Sequence, residues 1–188
     1  MSDSLDWKRL DGEGQTKVTK VGHRTIVTKT FQLPTGVVET FDTIWKETEQ
    51  AVAIIALTPD KRVVAIRLFR PGPERILTEI PGGAVGEGET PMEAAERELG
   101  EETGYKPGKM TYLGELVYDC YANLRRHYVI AEDSVPSGQG QDLDKEEQAL
   151  EVVHITISEL LENAREGRMS DPGAVLLAYD KLKELEGK

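Results

Sequence analysis

The chain has 188 residues, enough for one ordinary domain with a small appendage, and its 23 basic against 34 acidic side chains give a net charge of −11. With 38% apolar residues the composition excludes disorder, and the longest apolar run, Ala51 to Leu57, falls far short of the roughly 20 residues that span a bilayer. A pI near 4.8 excludes a protein that grips long nucleic acid through many phosphates, yet it leaves room for small phosphate compounds if a metal mediates.

The start, Met-Ser-Asp-Ser-Leu-Asp-Trp, lacks the basic and apolar stretches of a signal peptide, so a cytosolic chain is expected. Cys120 has no partner for an internal disulfide. One Cys with the scattered His23, His127 and His154 cannot assemble a tetrahedral zinc site, so any metal should be oxygen-bound. These three histidines read as packing or edge residues of strands.

In chain order, Val18 to Phe31 is rich in β-branched residues, Leu33-Pro34-Thr35-Gly36 reads as a turn, and Val37 to Trp45 alternates as a second strand, together an N-terminal hairpin. Ala51–Leu57 and Arg62–Phe69 flank the turn Thr58-Pro59-Asp60-Lys61, and the first of them, apolar on both faces, should lie in the centre of a sheet. Ile76–Ile80 predicts a short strand leading into the glycine-rich segment Pro81–Gly88. Thr90 as N-cap, Pro91 at the first helical position, Glu93 closing a capping box and Gly104 at the end predict a helix. Strands at Thr111–Tyr118 and His127–Ala131 precede a polar loop, Glu132–Glu147, and Leu150–Ile155 is the last strand. Thr156 with Glu159 caps a helix to about Glu166. Asp171-Pro172 opens a final helix with Val175, Leu176, Tyr179, Leu182 and Leu185 on one stripe. Many strands with one helix in the middle and helices at the end predict a mixed sheet sandwiched by helices.

On the central helix, spacing of about 100° per residue places Glu98, Glu101 and Glu102 within one arc, with Met92, Ala95 and Leu99 on the neighbouring arc. Three carboxylates on one face repel, and Arg97 is the only cation in that turn. A divalent cation offsets the repulsion, and Mg²⁺ takes carboxylates, waters and substrate phosphates as ligands. Beside this segment, Arg67 and Arg70 bracket Phe69, offering forked donors for phosphate oxygens and a ring for a base. Tyr121, Arg125, Arg126 and Tyr128 form a second aromatic and basic group.

From Gly83 the chain runs five residues to Glu89, seven more, then Arg97-Glu98-Leu99-Gly100-Glu101-Glu102-Thr103-Gly104-Tyr105. This resembles the Nudix box, G-x5-E-x7-R-E-U-x-E-E-x-G-U, with Tyr105 at the last position, where an aliphatic residue is usual. Seven specified positions coincide by chance in on the order of 10⁻⁵ of chains of this composition. Arg67-Leu68-Phe69-Arg70, Glu79-Ile80-Pro81-Gly82-Gly83 and the tail Leu143-Asp144, Glu146-Glu147, Leu150 to Val153 are similar to the ADP-ribose (ADP-sugar) pyrophosphatase branch.

The resemblance implies an α+β fold, a Nudix-type α/β/α sandwich with a mixed central sheet at 49–188, preceded by an N-terminal β-hairpin extension at 1–48 that pairs a homodimer. It implies metal-dependent hydrolysis of the pyrophosphate bond of ADP-ribose or a related nucleoside diphosphate sugar, with Mg²⁺, or Mn²⁺, as cofactor and no membrane or long nucleic acid as partner. Glu98, Glu102 and the Gly82 carbonyl would hold metal, with Glu101 a further or water-mediated ligand. Glu146 or Glu147 would be the general base. Arg67, Phe69, Arg70, Glu79 and Arg126 would contact substrate. Gly83, Glu89, Arg97 and Gly104 would be structural, Arg97 pairing with Glu89 or Glu101. The competing readings are hydrolysis of nucleoside triphosphates or RNA 5′ ends, and a nucleotide-binding module without turnover.

Overall fold

The computed structural model describes residues 6–12, 16–117 and 119–187, and the chain divides into two compact units, residues up to 49 with 117–125, and 50–116 with 126–188. The first unit is a sheet of β1 (Lys8–Arg9), β2 (Lys17–Val21), β3 (Arg24–Gln32) and β4 (Val38–Ile44). Here β3 is central: β1 and β2 pair with its two ends along one edge and β4 with the other. The stretch expected as one strand, Val18–Phe31, is instead a hairpin, because Gly22 at φ 58° turns the chain back. A turn needs only that one permissive residue, and the β-branched run on both sides masks it. The turn at Leu33–Gly36 forms as expected, closed by the Gly36 N–H to the Leu33 carbonyl at 2.9 Å. Trp7, Phe31 and Phe41 pack at tilted to edge-on angles with centroid distances of 5.9 to 6.4 Å and give this unit a small, partly exposed aromatic cluster.

Residues 117–125 join the same unit. The Ile44 N–H donates to the Tyr121 carbonyl at 2.8 Å, the Asn123 N–H to Ile44 at 2.9 Å, and the Asn123 side chain to the Trp45 carbonyl at 2.7 Å. Such isolated bridges carry no sequence periodicity, so the expected extension 1–48 did not include them.

The second unit contains β5 (Gln50–Leu57), β6 (Val63–Arg70), β7 (Arg75–Glu79), α1 (Pro91–Thr103), β8 (Tyr105–Lys106), β9 (Lys109–Val117), β10 (Arg125–Glu132), β11 (Val135–Pro136), β12 (Glu151–Ile155), α2 (Ile157–Arg165) and α3 (Pro172–Glu186). The main sheet runs β12-β6-β5-β10-β9, with β7 also on β6. As expected, β5 is central, and its side chains explain the layers by strict alternation. Ala53, Ile55 and Leu57 meet Leu160 and Leu161 of α2 and Ala174, Val175, Ala178 and Leu182 of α3, while Val52, Ile54 and Ala56 meet Ala94, Ala95 and Leu99 of α1. Each completely buried Leu or Ile in these layers contributes roughly 1.5 to 3 kcal/mol. The result is a mixed sheet with α1 on one face and α2 and α3 on the other. No helix among the described residues is long and apolar enough to cross a membrane.

Two expectations are corrected here. On α3 the buried stripe is Ala174, Val175, Ala178, Leu182 and Leu185, whereas Leu176 and Tyr179 are 69% and 40% exposed. Two small alanines let the helix approach the sheet closely, so residue size misled the choice of face. The polar loop Glu132–Glu147 also contains β11, paired with β8, and a 3₁₀ turn at Lys145–Glu147.

Candidate functional site

The site is assembled from a loop and a helix. After β7 the chain runs beside β5, which donates from the Ile54 N–H to the Pro81 carbonyl and from the Val52 N–H to the Gly83 carbonyl, both at 2.9 Å. Between them the Gly82 N–H turns to the other side and donates to Glu102 Oε2 at 2.7 Å. The Gly82 carbonyl accepts no hydrogen bond among the described residues. A Cβ at Gly82 would lie 2.2 Å from the Val52 backbone oxygen, so glycine lets the loop approach β5 this closely, whereas one at Gly83 would meet the movable end of the Glu98 side chain.

The capping signals then fix where α1 begins. Thr90 accepts from the Glu93 N–H at 3.2 Å, Glu93 Oε2 accepts from the Thr90 N–H at 2.8 Å, and Gly104 at φ 72° closes the last turn through its N–H to Gly100. With Ala94, Ala95 and Leu99 against the sheet, Glu102 is carried inward to 3% exposure, Glu98 is half-buried and Glu101 faces out.

Arg97 pairs with both of the partners named from the sequence, Glu89 and Glu101. Its Nε and Nη2 fork onto Glu89 at 2.9 Å each, Nη1 reaches Glu98 Oε1 and Glu101 Oε2 at 2.8 Å, and Nη2 also donates to the Ala84 carbonyl. This holds Glu89 below the usual carboxylate range and raises the guanidinium's own pKa. Glu89 in turn accepts from the Gly86 N–H at 2.8 Å, pinning the glycine-rich loop to the helix.

Burial pushes Glu102 up to about 8, against the opposing Gly82 N–H, with Glu147 and Glu98 adding to the rise and Arg70 drawing it down. Glu98 is raised by burial, opposed by Arg97 and reinforced by Glu101 and Glu147. The Glu147 charge adds to the rise at both box carboxylates, and its own carboxylate accepts from the Asp144 N–H at 3.3 Å. The Glu146 side chain lies outside the described residues. Among those described, no three His, Cys, Asp or Glu side chains form a ready cage, and Arg97 bonds both Glu98 and Glu101. The donor chemistry nevertheless fits a hard divalent ion: one buried and one half-buried carboxylate and a carbonyl that accepts no bond among the described residues, all oxygen. Alongside the outer face of α1 lies a cleft of about 600 Å³ lined by Glu96, Arg97, Glu101, Tyr105, Gln141 and Asp142; Glu98 and Glu102 do not line it.

The other sequence-derived candidates separate. Strand alternation puts Arg67 and Phe69 on one face of β6 and Arg70 on the other. Arg67 sits opposite Glu151 of β12 in an exposed pair at 3.3 Å, and Phe69 is 59% exposed beside Ile76. Arg70 bonds Glu79, which is almost wholly buried, at 2.6 Å. Arg126 is committed through Nε at 2.7 Å and Nη2 at 2.5 Å to the Asp171 carboxylate, a pairing that spacing along the chain gave no sign of. Tyr121 and Arg125 belong to the first unit, while Tyr128 is buried in the core of the second. His127 bonds Tyr112 and Gln50, and His154 meets the Tyr105 hydroxyl at 2.8 Å, which gives that tyrosine a polar partner at a usually aliphatic position. His23 lies in the turn after β2 and not in a strand.

A NUDIX domain model matches residues 47–172. Together with the glutamate helix and its loop, this places the chain in the Nudix family, as a Nudix hydrolase. It is 32% identical over 136 residues to the ADP-ribose pyrophosphatase of Bacillus subtilis (strain 168), covering 71% of this chain and 73% of that one. It has the same identity over the same shares with the methanol dehydrogenase activator of Bacillus methanolicus. A crystal structure of an ADP compounds hydrolase superposes with a TM-score of 0.78 at 25% identity, covering 97% of this chain and 98% of that one.

Proposed function

We propose that this Nudix hydrolase cleaves ADP-ribose or a related nucleoside diphosphate sugar between its two phosphates, giving a nucleoside monophosphate and a sugar phosphate. The observation that carries the reading is the Gly82–Gly83 loop held against Glu102 and Glu98 of α1, in a chain similar to enzymes named for ADP compounds. Glu98, Glu102 and the Gly82 carbonyl would hold Mg²⁺, or Mn²⁺, with Glu101 completing the set directly or through water. A divalent ion bound there supplies charge neutralisation for phosphate oxygens and a lowered pKa for the attacking water.

The protein's own part is to keep these oxygens in place. Arg97 orients Glu98 and Glu101, and Gly82 fixes Glu102. Glu146 or Glu147 is the base in this reading, and the Glu147 charge raises both Glu98 and Glu102. Arg70 offers donors to phosphate oxygens, and contacts at both ends of the substrate orient the scissile bond, so ADP should react far more slowly than ADP-ribose. The N-terminal strands would pair two copies of the chain, which light scattering at micromolar concentration tests: a dimer is expected, and a monomer contradicts it.

A panel of nucleoside diphosphate sugars, nucleoside triphosphates and capped RNA, assayed with Mg²⁺ or with chelator in ¹⁸O-water, tests the reaction. AMP and ribose 5-phosphate, one carrying a solvent oxygen, are expected from ADP-ribose only with metal. Faster hydrolysis of triphosphates or of RNA ends than of every diphosphate sugar would overturn the substrate reading.

A further inference from the structure

Glu79 and Arg70 sit on neighbouring strands of the β6–β7 hairpin, yet the carboxylate is 2% exposed and the guanidinium side chain 38%. Both Glu79 oxygens are engaged. Oε2 accepts from Arg70 Nε at 2.6 Å, and Oε1 accepts from the backbone N–H of Ser170 at 2.7 Å. A carboxylate so enclosed has little left to offer a substrate. Arg70 differs: only its Nε is tied, and its Nη1 and Nη2 make no hydrogen bond among the described residues.

The Ser170 end is itself anchored. Asp171, next in the chain, stands at the N-cap of α3 without capping it; its carboxylate accepts two bonds from Arg126 and one from the Ser170 hydroxyl at 3.1 Å. Arg75 of β7 donates to the Gly167 carbonyl at 2.6 Å, so the α2–α3 connection is fastened to the hairpin at a second point. An aspartate that gives up its local capping role for a distant arginine departs from local preference in favour of fixing this seam.

From this arrangement we propose that Glu79 is a positioning residue, seated on the Ser170 N–H, that holds Arg70 by its Nε so that the two terminal nitrogens face the substrate's phosphates. This rests on the reading of Arg70 as a phosphate contact and replaces the expectation that Glu79 itself touches substrate. A guanidinium fixed at Nε loses less freedom on binding an oxyanion than a solvated one, and its planar fork stays aligned for two bonds.

A double-mutant cycle tests it, read both in ADP binding by calorimetry and in ADP-ribose kinetics. Arg70→Lys and Glu79→Gln should each weaken ADP binding about tenfold and raise KM for ADP-ribose more than they lower kcat, and the double variant should be no weaker than Arg70→Lys alone. Glu79→Asp keeps the charge of the pair but is one carbon too short to bridge Arg70 and Ser170, so it should weaken ADP binding severalfold and serves if the amide variant fails to fold. Glu79 effects that multiply with Arg70→Lys, Glu79 variants that alter melting temperature without altering ADP affinity, or an Arg70→Lys that binds ADP normally, would each overturn the proposal. Because the cycle is read in ADP affinity, its outcome is independent of the substrate reading, which fails if ADP-ribose is not hydrolysed.

Discussion

Two arginines in the second unit are bound to carboxylates in opposite ways. Arg97 spreads its hydrogen bonds over Glu89, Glu98, Glu101 and a carbonyl within a partly exposed cluster, while Arg126 directs a largely buried fork at Asp171. The first arrangement can be re-partitioned: a cation that takes an oxygen of Glu98 or Glu101 leaves Arg97 with Glu89. The second resists parting, because both side chains are largely shielded from water. An adjustable cluster belongs beside a site that must accept and release charged groups. A fixed pair belongs where the position of distant segments has to be held.

The largest effect should come from breaking the fixed pair. Asp171→Ala leaves Arg126 buried without this counter-charge and should lower unfolding stability by about 3 to 5 kcal/mol in denaturant titration. A loss below about 1 kcal/mol would mean that the pair is not what fixes these segments and the contrast is false. In the adjustable cluster the loss should fall on chemistry. Glu98→Gln or Glu102→Gln should reduce turnover by at least ~10²-fold with circular dichroism unchanged, and near-normal rates in either would place the metal elsewhere. Thr90→Ala, which removes only the cap that sets where α1 begins, should cost about 1 kcal/mol, with kcat kept within a few-fold. At the bottom of the scale stands Cys120, exposed and belonging to the first unit. Cys120→Ser should leave rate and stability as they were, and a lost activity would give the thiol a role that nothing around it suggests.

The same contrast explains what could be read from the sequence. The Arg97 cluster lies within one loop and one helix, so motif spacing and helical period located Glu89, Arg97, Glu98, Glu101 and Glu102 together. β5 was legible because burial on both faces leaves an unbroken apolar run, and both capping boxes formed where Thr90 and Thr156 stood. Arg126 and Asp171 are 45 residues apart, and Glu79 and Ser170 are 91 apart. No local pattern marks such pairs, because the fold alone brings them together. The opposite facing of Arg67 and Arg70 was missed for a related reason. Three residues apart in a strand, they point to opposite faces, so nearness in sequence suggested a joint site that the pleat divides. The choice between Glu146 and Glu147 likewise depended on a loop that spacing does not fix.

The central claim is that Glu102 and its neighbours form a divalent-cation site, and proton linkage exposes it most directly. With Glu102 raised to about 8 from an ordinary carboxylate value, the metal-free folded state holds a proton that the unfolded chain has lost. Stability from this group therefore falls as pH rises from the ordinary carboxylate range to about 8, then levels off. A cation must displace that proton to bind below this point. Calorimetric titration of Mg²⁺ into the protein between pH 6 and 9, repeated in buffers of different ionisation enthalpy, should show affinity rising with pH and levelling above about 8, with proton release that vanishes in Glu102→Gln. Mg²⁺ binding that is independent of pH and unchanged in that variant would contradict the account.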